Sequence, residues 1–110
     1  MLTGNTGFAD PSFFAPVASS IPTLIYAGFV DPATPTIDAY QTTRFLSKAT
    51  LLEVRGASHG PMVEDECTIA IAKSFLADPT TPPDRACMAK RPTIQFATEG
   101  LDALLSPPGK

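Results

Sequence analysis

The feature that most constrains this fold is a strand-like stretch, residues 22–30, that is apolar on both faces. Strands of this kind lie inside parallel sheets that helices cover on each side, because a solvated face would show polar residues at alternate positions. Pro22 fits the entrance of such a strand, where its missing N–H group matters least. The stretch therefore predicts an α/β fold in which other elements cover both faces of this strand.

The remainder of the chain alternates between helical and extended patterns. Thr34 and Pro35 form a helix start signal, as N-cap and first helical residue, and the helix is predicted to end near Ser47. A second strand is predicted over residues 50–55. A second helix is predicted over residues 64–77, where apolar residues recur at helical spacing.

The order strand, helix, strand, helix predicts two parallel strands joined by a crossover helix. Two strands and two helices are too few to cover both faces of a parallel sheet, so the predicted sheet is incomplete and the chain looks like the C-terminal part of a larger α/β domain. The predicted organisation is an irregular lead-in over residues 1–20, the α/β segment over 21–97 and a flexible tail over 98–110.

Charge and hydropathy argue against two classes of partner. The 110 residues include 8 basic and 11 acidic side chains, and the net charge of −3 provides no attraction to a phosphate backbone. The longest nearly apolar run, residues 24–30, is far shorter than the roughly 20 residues of a membrane-spanning helix. We therefore expect neither nucleic acid nor a membrane as a partner. The start of the chain also lacks the basic and apolar regions of a signal peptide.

Two cysteines and one histidine limit the possible metal sites. A structural zinc site needs about four N or S ligands, whereas Cys67, Cys87 and His59 supply three and show no CxxC spacing. We expect no metal and no cofactor. From the residues alone, the two cysteines are as compatible with a disulfide in an oxidising compartment as with two buried free thiols.

Two polar residues follow the predicted strands. Asp31 comes directly after the first strand, and His59 lies in a glycine-flanked loop after the second. Because the carboxyl ends of parallel strands lie at the same edge of a sheet, we expect these side chains to be within hydrogen-bond reach. A carboxylate that accepts the Nδ1–H of an imidazole leaves its Nε2 free to take a proton from a nucleophile. Taken singly, each residue is also compatible with an ordinary loop position.

Several segments resemble one family of α/β-hydrolases. Residues 21–35, IPTLIYAGFVDPATP, are similar to a strand and acid loop of these enzymes, and more narrowly to the C-terminal domain of tripeptidyl-aminopeptidase-like (TAP-like) hydrolases, relatives of prolyl aminopeptidase. Residues 56–60, GASHG, resemble the histidine loop of that family. Cys67 and Cys87 resemble its cysteine pair, and residues 92–96 resemble its tail.

The resemblance implies the C-terminal part of an α/β-hydrolase fold and the chemistry of a serine peptidase. Asp31 would be the acid of the catalytic triad and His59 its base. The family pattern also implies a disulfide between Cys67 and Cys87 and a secreted or periplasmic location. The implied substrate is a peptide cleaved near its N-terminus, or a small amide or ester.

The nucleophile of this family is a serine in a GxSxG elbow on an earlier strand. We expect the GxSxG pattern and its elbow to be absent from this chain, together with the N-terminal half of the hydrolase that carries them. Ser58 adjoins His59, but neighbouring side chains in a turn or extended segment point apart, so we do not expect it to act as the nucleophile. The chain alone is therefore expected to be an inactive fragment. The alternatives are a non-catalytic α/β binding module and a subunit that completes a split hydrolase in trans.

Overall fold

A computed structural model describes residues 10–92 together with Ile94, Gln95, Gly100 and Leu105. The main elements are two strands and two helices: β1 (Thr23–Gly28), α1 (Thr36–Thr43), β2 (Ala49–Val54) and α2 (Glu66–Ala77). Short 3-10 helices lie at Pro11–Phe14, Pro61–Val63 and Ala86–Lys90. The predicted fold class, an α/β fold with an incomplete parallel sheet, is confirmed.

The two strands form an open parallel sheet, with α1 crossing between them. Their register runs from Thr23 opposite Ala49 to Gly28 opposite Val54. An isolated parallel bridge between Ser19 and Leu46 extends the pairing ahead of both strands. In the part of the chain that the structure describes, no third strand joins this sheet.

The core lies where α2 packs against the sheet. Leu52 and Val54 of β2, Ala57 of the following loop and Ile71 of α2 are all buried. The Tyr26 hydroxyl donates a hydrogen bond of 2.7 Å to the carbonyl oxygen of Thr68, which joins β1 to the same helix. These contacts fix α2, and the loop that leads into it, against the sheet.

The first strand is shorter than predicted. It ends at Gly28, and Phe29 and Val30 are exposed in a turn that the Asp31 N–H closes by donating to the Gly28 carbonyl oxygen at 3.2 Å. The sequence pattern missed this end because the two turn residues are as apolar as the strand before them.

Both predicted ends of α1 are wrong. The helix begins at Thr36 with Pro35 as its N-cap, because the Thr34 hydroxyl donates to the Asp31 carboxylate instead of capping the helix. It ends at Thr43 rather than near Ser47, because the backbone beyond it pairs with Ser19, whose N–H donates to the Phe45 carbonyl oxygen at 3.0 Å.

The other boundaries differ less. β2 covers residues 49–54 against the predicted 50–55. α2 begins two residues later than predicted, at Glu66, because Asp65 is its N-cap and forms a capping box with Thr68 in the first turn, and it ends at Ala77 as predicted. In the described part of the chain, no helix has the length and apolar character needed to span a membrane.

The predicted organisation extends beyond the described residues at both ends. Residues 1–9 of the predicted lead-in lie outside them, and so do Thr93 and residues 96–97 of the α/β segment. Of the predicted tail, 98–110, only Gly100 and Leu105 are described. These boundaries stay predictions.

Candidate active site

Two loops meet at the carboxyl edge of the sheet. The acid loop, residues 29–35, follows β1, and the histidine loop, residues 56–64, follows β2. Backbone hydrogen bonds join the two strand ends, because Phe29 N–H donates to the Val54 carbonyl oxygen and Val30 N–H to that of Ala57, each at 3.1 Å. The strand register therefore continues into the loops and sets the distance between them.

Gly28 allows the two loops to approach this closely. A Cβ atom at this position would overlap the backbone carbonyl oxygen of Ser58 and come within 2.8 Å of that of Ala57. Both neighbours are backbone atoms, which cannot rotate away as a flexible side chain can. The absence of a side chain at the end of β1 is thus a condition for the position of the histidine loop.

The structure brings Asp31 and His59 together, with 2.9 Å between His59 Nδ1 and Asp31 Oδ2. The Asp31 side chain is 3% exposed, whereas that of His59 is 67% exposed. The carboxylate is therefore enclosed behind the imidazole, and the imidazole faces outward. With Nδ1 donating to Asp31, the nitrogen left to exchange protons with a substrate or nucleophile is Nε2.

The Asp31 carboxylate has donors on both oxygens. Oδ1 accepts from the backbone N–H groups of Ala33, at 2.8 Å, and Thr34, at 3.1 Å. Oδ2 accepts from the Thr34 hydroxyl at 2.7 Å, in addition to His59. The Thr34 hydroxyl is the main reason that the pKa of Asp31 lies well below its usual value, and the loop N–H groups and His59 add to the effect against burial, which raises the pKa.

Thr34 is a site residue that sequence reasoning missed. Its position before Pro35 favours an N-cap, and that interpretation hid its relation to the aspartate three residues earlier. The signal that could have identified it is the Asp31-Pro32-Ala33-Thr34 spacing itself, because an Asp side chain readily accepts hydrogen bonds from the backbone N–H groups that follow it in a turn. The hydroxyl of Thr34 also lies 3.3 Å from His59 Nδ1.

The two cysteines are bonded to each other. A disulfide connects Cys67, in the first turn of α2, to Cys87 in the 3-10 helix Ala86–Lys90. Among the described residues, no three His, Cys, Asp or Glu side chains cluster closely enough to hold a metal ion.

Residues 56–60 also fit the letters GxSxG, which corrects the expectation that this pattern is absent. A nucleophile elbow holds its serine in a sharp, strained turn. Here the positive φ values fall on the two outer glycines, 73° at Gly56 and 77° at Gly60, and no described non-glycine residue, Ser58 included, has one. In this loop the backbone carbonyl oxygens of Ala57 and Ser58 face Gly28, and His59 contacts Asp31, so the geometry is not that of a nucleophile elbow.

A family model described as "TAP-like protein" matches residues 6–87 of the chain. The matched range includes Asp31, His59 and both cysteines. No curated protein and no solved structure gives a significant match.

Proposed function

Because the chain belongs to the TAP-like family of α/β-hydrolases, we propose that it supplies the acid and the base of a serine hydrolase, Asp31 and His59. The observation that carries this proposal is the 2.9 Å contact between His59 Nδ1 and an Asp31 carboxylate that is itself almost fully buried. A buried carboxylate kept ionised by its own loop is what a catalytic imidazole needs in order to hold one tautomer.

The reaction would be acyl transfer. A serine hydroxyl, carried outside these elements, attacks the scissile carbonyl carbon while Nε2 of His59 takes the hydroxyl proton. The imidazolium that forms keeps its Nδ1–H on the Asp31 carboxylate, which stabilises the positive charge. His59 then gives the proton from Nε2 to the leaving amine as the C–N bond breaks. Water attacks the acyl-enzyme in the second half, with His59 again taking and returning the proton.

The free edge of β1 is where the nucleophile-bearing part would join. Thr23 donates its N–H group to the carbonyl oxygen of Lys48, just ahead of β2, and Phe29 donates to that of Val54. The alternate residues Leu24 and Tyr26 therefore direct their backbone groups away from β2. Phe29, at the end of this edge, is 60% exposed. A parallel strand from the N-terminal half of the hydrolase would satisfy these groups, which supports the interpretation of this chain as a C-terminal fragment.

The proposed substrate is a peptide cleaved near its N-terminus, as in a tripeptidyl or prolyl aminopeptidase, with small amides and esters as weaker candidates. A secreted or periplasmic location is part of the proposal, and the Cys67–Cys87 disulfide supports it because disulfides persist in oxidising compartments.

The test is to assay the chain alone and fused behind the N-terminal half of a TAP-like hydrolase, with tripeptidyl and aminoacyl p-nitroanilides as substrates. We expect no turnover by the chain alone and measurable turnover by the fusion. His59→Ala should abolish that turnover, and Asp31→Asn should lower kcat by about 10⁴-fold, as loss of a triad acid does.

The matched control is Asp38→Asn, which alters an exposed carboxylate on α1 and should leave turnover unchanged. If the chain alone showed turnover and His59→Ala removed that turnover, the chain would carry its own nucleophile. A folded fusion without activity would instead favour a non-catalytic binding module. If the separate N-terminal half binds the chain and regains activity, the chain can act as a subunit in trans.

A further inference from the structure

Arg91 contacts both ends of the histidine loop. Its Nε and Nη2 atoms donate to the carbonyl oxygen of Arg55 at 3.3 and 3.2 Å, and its Nη1 donates to the carboxylate of Asp65. Arg55 directly precedes the loop and Asp65 directly follows it as the N-cap of α2. One guanidinium group therefore joins the two ends of the loop that carries His59.

The Arg55 carbonyl is available to Arg91 because of the strand geometry. The carbonyl oxygen of Val54 accepts from Phe29 of the neighbouring strand end, and successive residues of a strand direct their backbone groups to opposite sides. The Arg55 carbonyl thus lies on the outer edge of β2, away from β1. There it accepts two donors from a side chain that is only 10% exposed.

The segment that carries Arg91 is itself held in place. Cys87, shortly before Arg91, is bonded to Cys67 in the first turn of α2, close to Asp65. On the other side of Arg91, the Ile94 side chain lies 4.0 Å from the position that a Cβ atom of Gly56 would take. Arg91 therefore reaches the histidine loop from a backbone that is anchored on both sides, so its contacts do not have to offset the entropy cost of ordering that backbone as well.

We propose that Arg91 is a positioning residue for the catalytic base: by joining Arg55 to Asp65 it keeps the histidine loop closed, and so keeps His59 Nδ1 on Asp31. The hydrogen bonds of Arg91 go to Arg55 and Asp65 and not to Asp31 or His59, so it acts through the loop. Its importance for catalysis rests on the function proposed above, whereas its effect on the His59–Asp31 hydrogen bond can be measured without any reaction.

The test uses the Nδ1–H proton of His59, which nuclear magnetic resonance can follow without ambiguity because the chain contains 1 histidine. In the wild-type chain we expect a protonated Nδ1 with slow solvent exchange. In Arg91→Ala we expect exchange to be at least about tenfold faster, because opening the loop gives water access to the hydrogen bond. Arg91→Lys should fall between the two, since an ammonium group can keep one of the contacts.

The matched control is Arg85→Ala. Arg85 lies on the same segment and contacts the same edge of β2, at the Leu51 carbonyl oxygen 3.5 Å away, but it does not reach the histidine loop. It should leave the exchange rate unchanged. A second variant, Asp65→Asn, keeps an oxygen that can cap α2 while it weakens the ion pair, and it should also speed exchange. It provides the test if Arg91→Ala proves too unstable to fold.

The two failures are distinguishable. If a folded Arg91→Ala or Asp65→Asn chain exchanged the His59 Nδ1–H proton at the wild-type rate, the positioning role of Arg91 would be overturned. The Asp31–His59 pair would be unaffected by that result. If the wild-type chain itself lacked a protected Nδ1–H proton, the pair would fail, and the proposed function and this inference would fail with it.

Discussion

Thr34 determines the charge of the candidate acid more than His59 does. The hydroxyl of Thr34 makes the largest contribution to the lowered pKa of Asp31, followed by the N–H groups of the acid loop, whereas the bond to His59 contributes least. The acid loop itself therefore keeps the carboxylate charged. A base that gains its proton during a reaction then finds the opposite charge already in place.

Replacing Thr34 with valine should raise the pKa of Asp31 towards its ordinary value of 3.8, because the substitution removes the main stabilising donor at nearly constant volume. A carboxyl group whose pKa is lower in the folded chain than in the unfolded chain stabilises the folded state at pH values above the unfolded-state pKa. This stabilisation is lost as the pH falls through the folded-state pKa. The wild-type chain should therefore be more stable than the variant at about pH 7, and the difference should shrink at about pH 3. Carboxyl-carbon titration and urea unfolding at both pH values measure the two effects.

Thr43→Val is the control for this experiment, because the Thr43 hydroxyl donates only to the Tyr40 carbonyl oxygen within α1. It should leave the titration of Asp31 unchanged. An unaltered Asp31 titration in Thr34→Val would mean that the backbone N–H groups alone keep the acid ionised.

Asp31 and His59 could be found from the sequence because each follows a recognisable strand, and parallel strand ends lie at one edge. Arg91 could not. It lies in a proline-rich segment without a periodic pattern, and its partner Arg55 is 36 positions earlier in the chain. Nothing local predicts a contact of that range, since it depends on how the disulfide-bonded segment folds back onto β2.

Among the elements, the existence of each was easier to predict than its ends. Apolar runs and helical spacing identified both strands and both helices, because burial of one face is recorded in the local pattern. The ends are set by contacts made over longer distances. α1 ends early because the following backbone pairs with Ser19, and β1 ends early because its last residue, Gly28, closes the turn to Asp31.

Gly28→Ala should displace the histidine loop and lower the free energy of unfolding by about 1–3 kcal/mol, the usual effect of overpacking a site that cannot relax. The added methyl group would meet the backbone carbonyl oxygens of Ser58 and Ala57. Urea unfolding measures the loss of stability. The exchange rate of the His59 Nδ1–H proton reports the loop movement, and we expect this rate to increase.

Gly100→Ala is the comparison for this substitution, because a Cβ atom there has no neighbour within 4 Å. Gly100 has a positive φ of 72°, so a modest loss of stability is expected, but no change at His59. If Gly28→Ala left both the stability and the exchange rate unchanged, the close approach of the two loops would not be what positions His59.

For the molecule as a whole, the described residues bury few side chains completely. The apolar core consists of Ala27, Leu52, Val54, Ala57 and Ile71, while several aromatic and aliphatic side chains are exposed on the lead-in and the acid loop, among them Phe13, Phe14, Val17, Phe29 and Val30. Exposed apolar surface of this extent is typical of a face that meets another protein segment. A small core also gives any covalent cross-link a large share of the total stability.

The disulfide should therefore contribute strongly to the stability of the chain. Cys67 and Cys87 are 20 positions apart, and closing a loop of that size removes conformational entropy from the unfolded chain that corresponds to about 3 kcal/mol. Reduction of the wild-type chain should lower the free energy of unfolding by about that amount, measured by urea unfolding with and without reductant. It should also speed exchange of the His59 Nδ1–H proton, because the segment that carries Arg91 loses its attachment to α2.

The double variant Cys67→Ser/Cys87→Ser separates the cross-link from other effects of the reductant. It should behave like the reduced wild-type chain and show no further response to reductant. If reduction lowered stability but left the Nδ1–H exchange rate unchanged, the disulfide would act on the unfolded chain alone, and Arg91 would keep its position without it. If both changed together, the cross-link at one end of α2 and the Asp31–His59 pair at the edge of the sheet would belong to one cooperative unit, joined through Asp65 and Arg91.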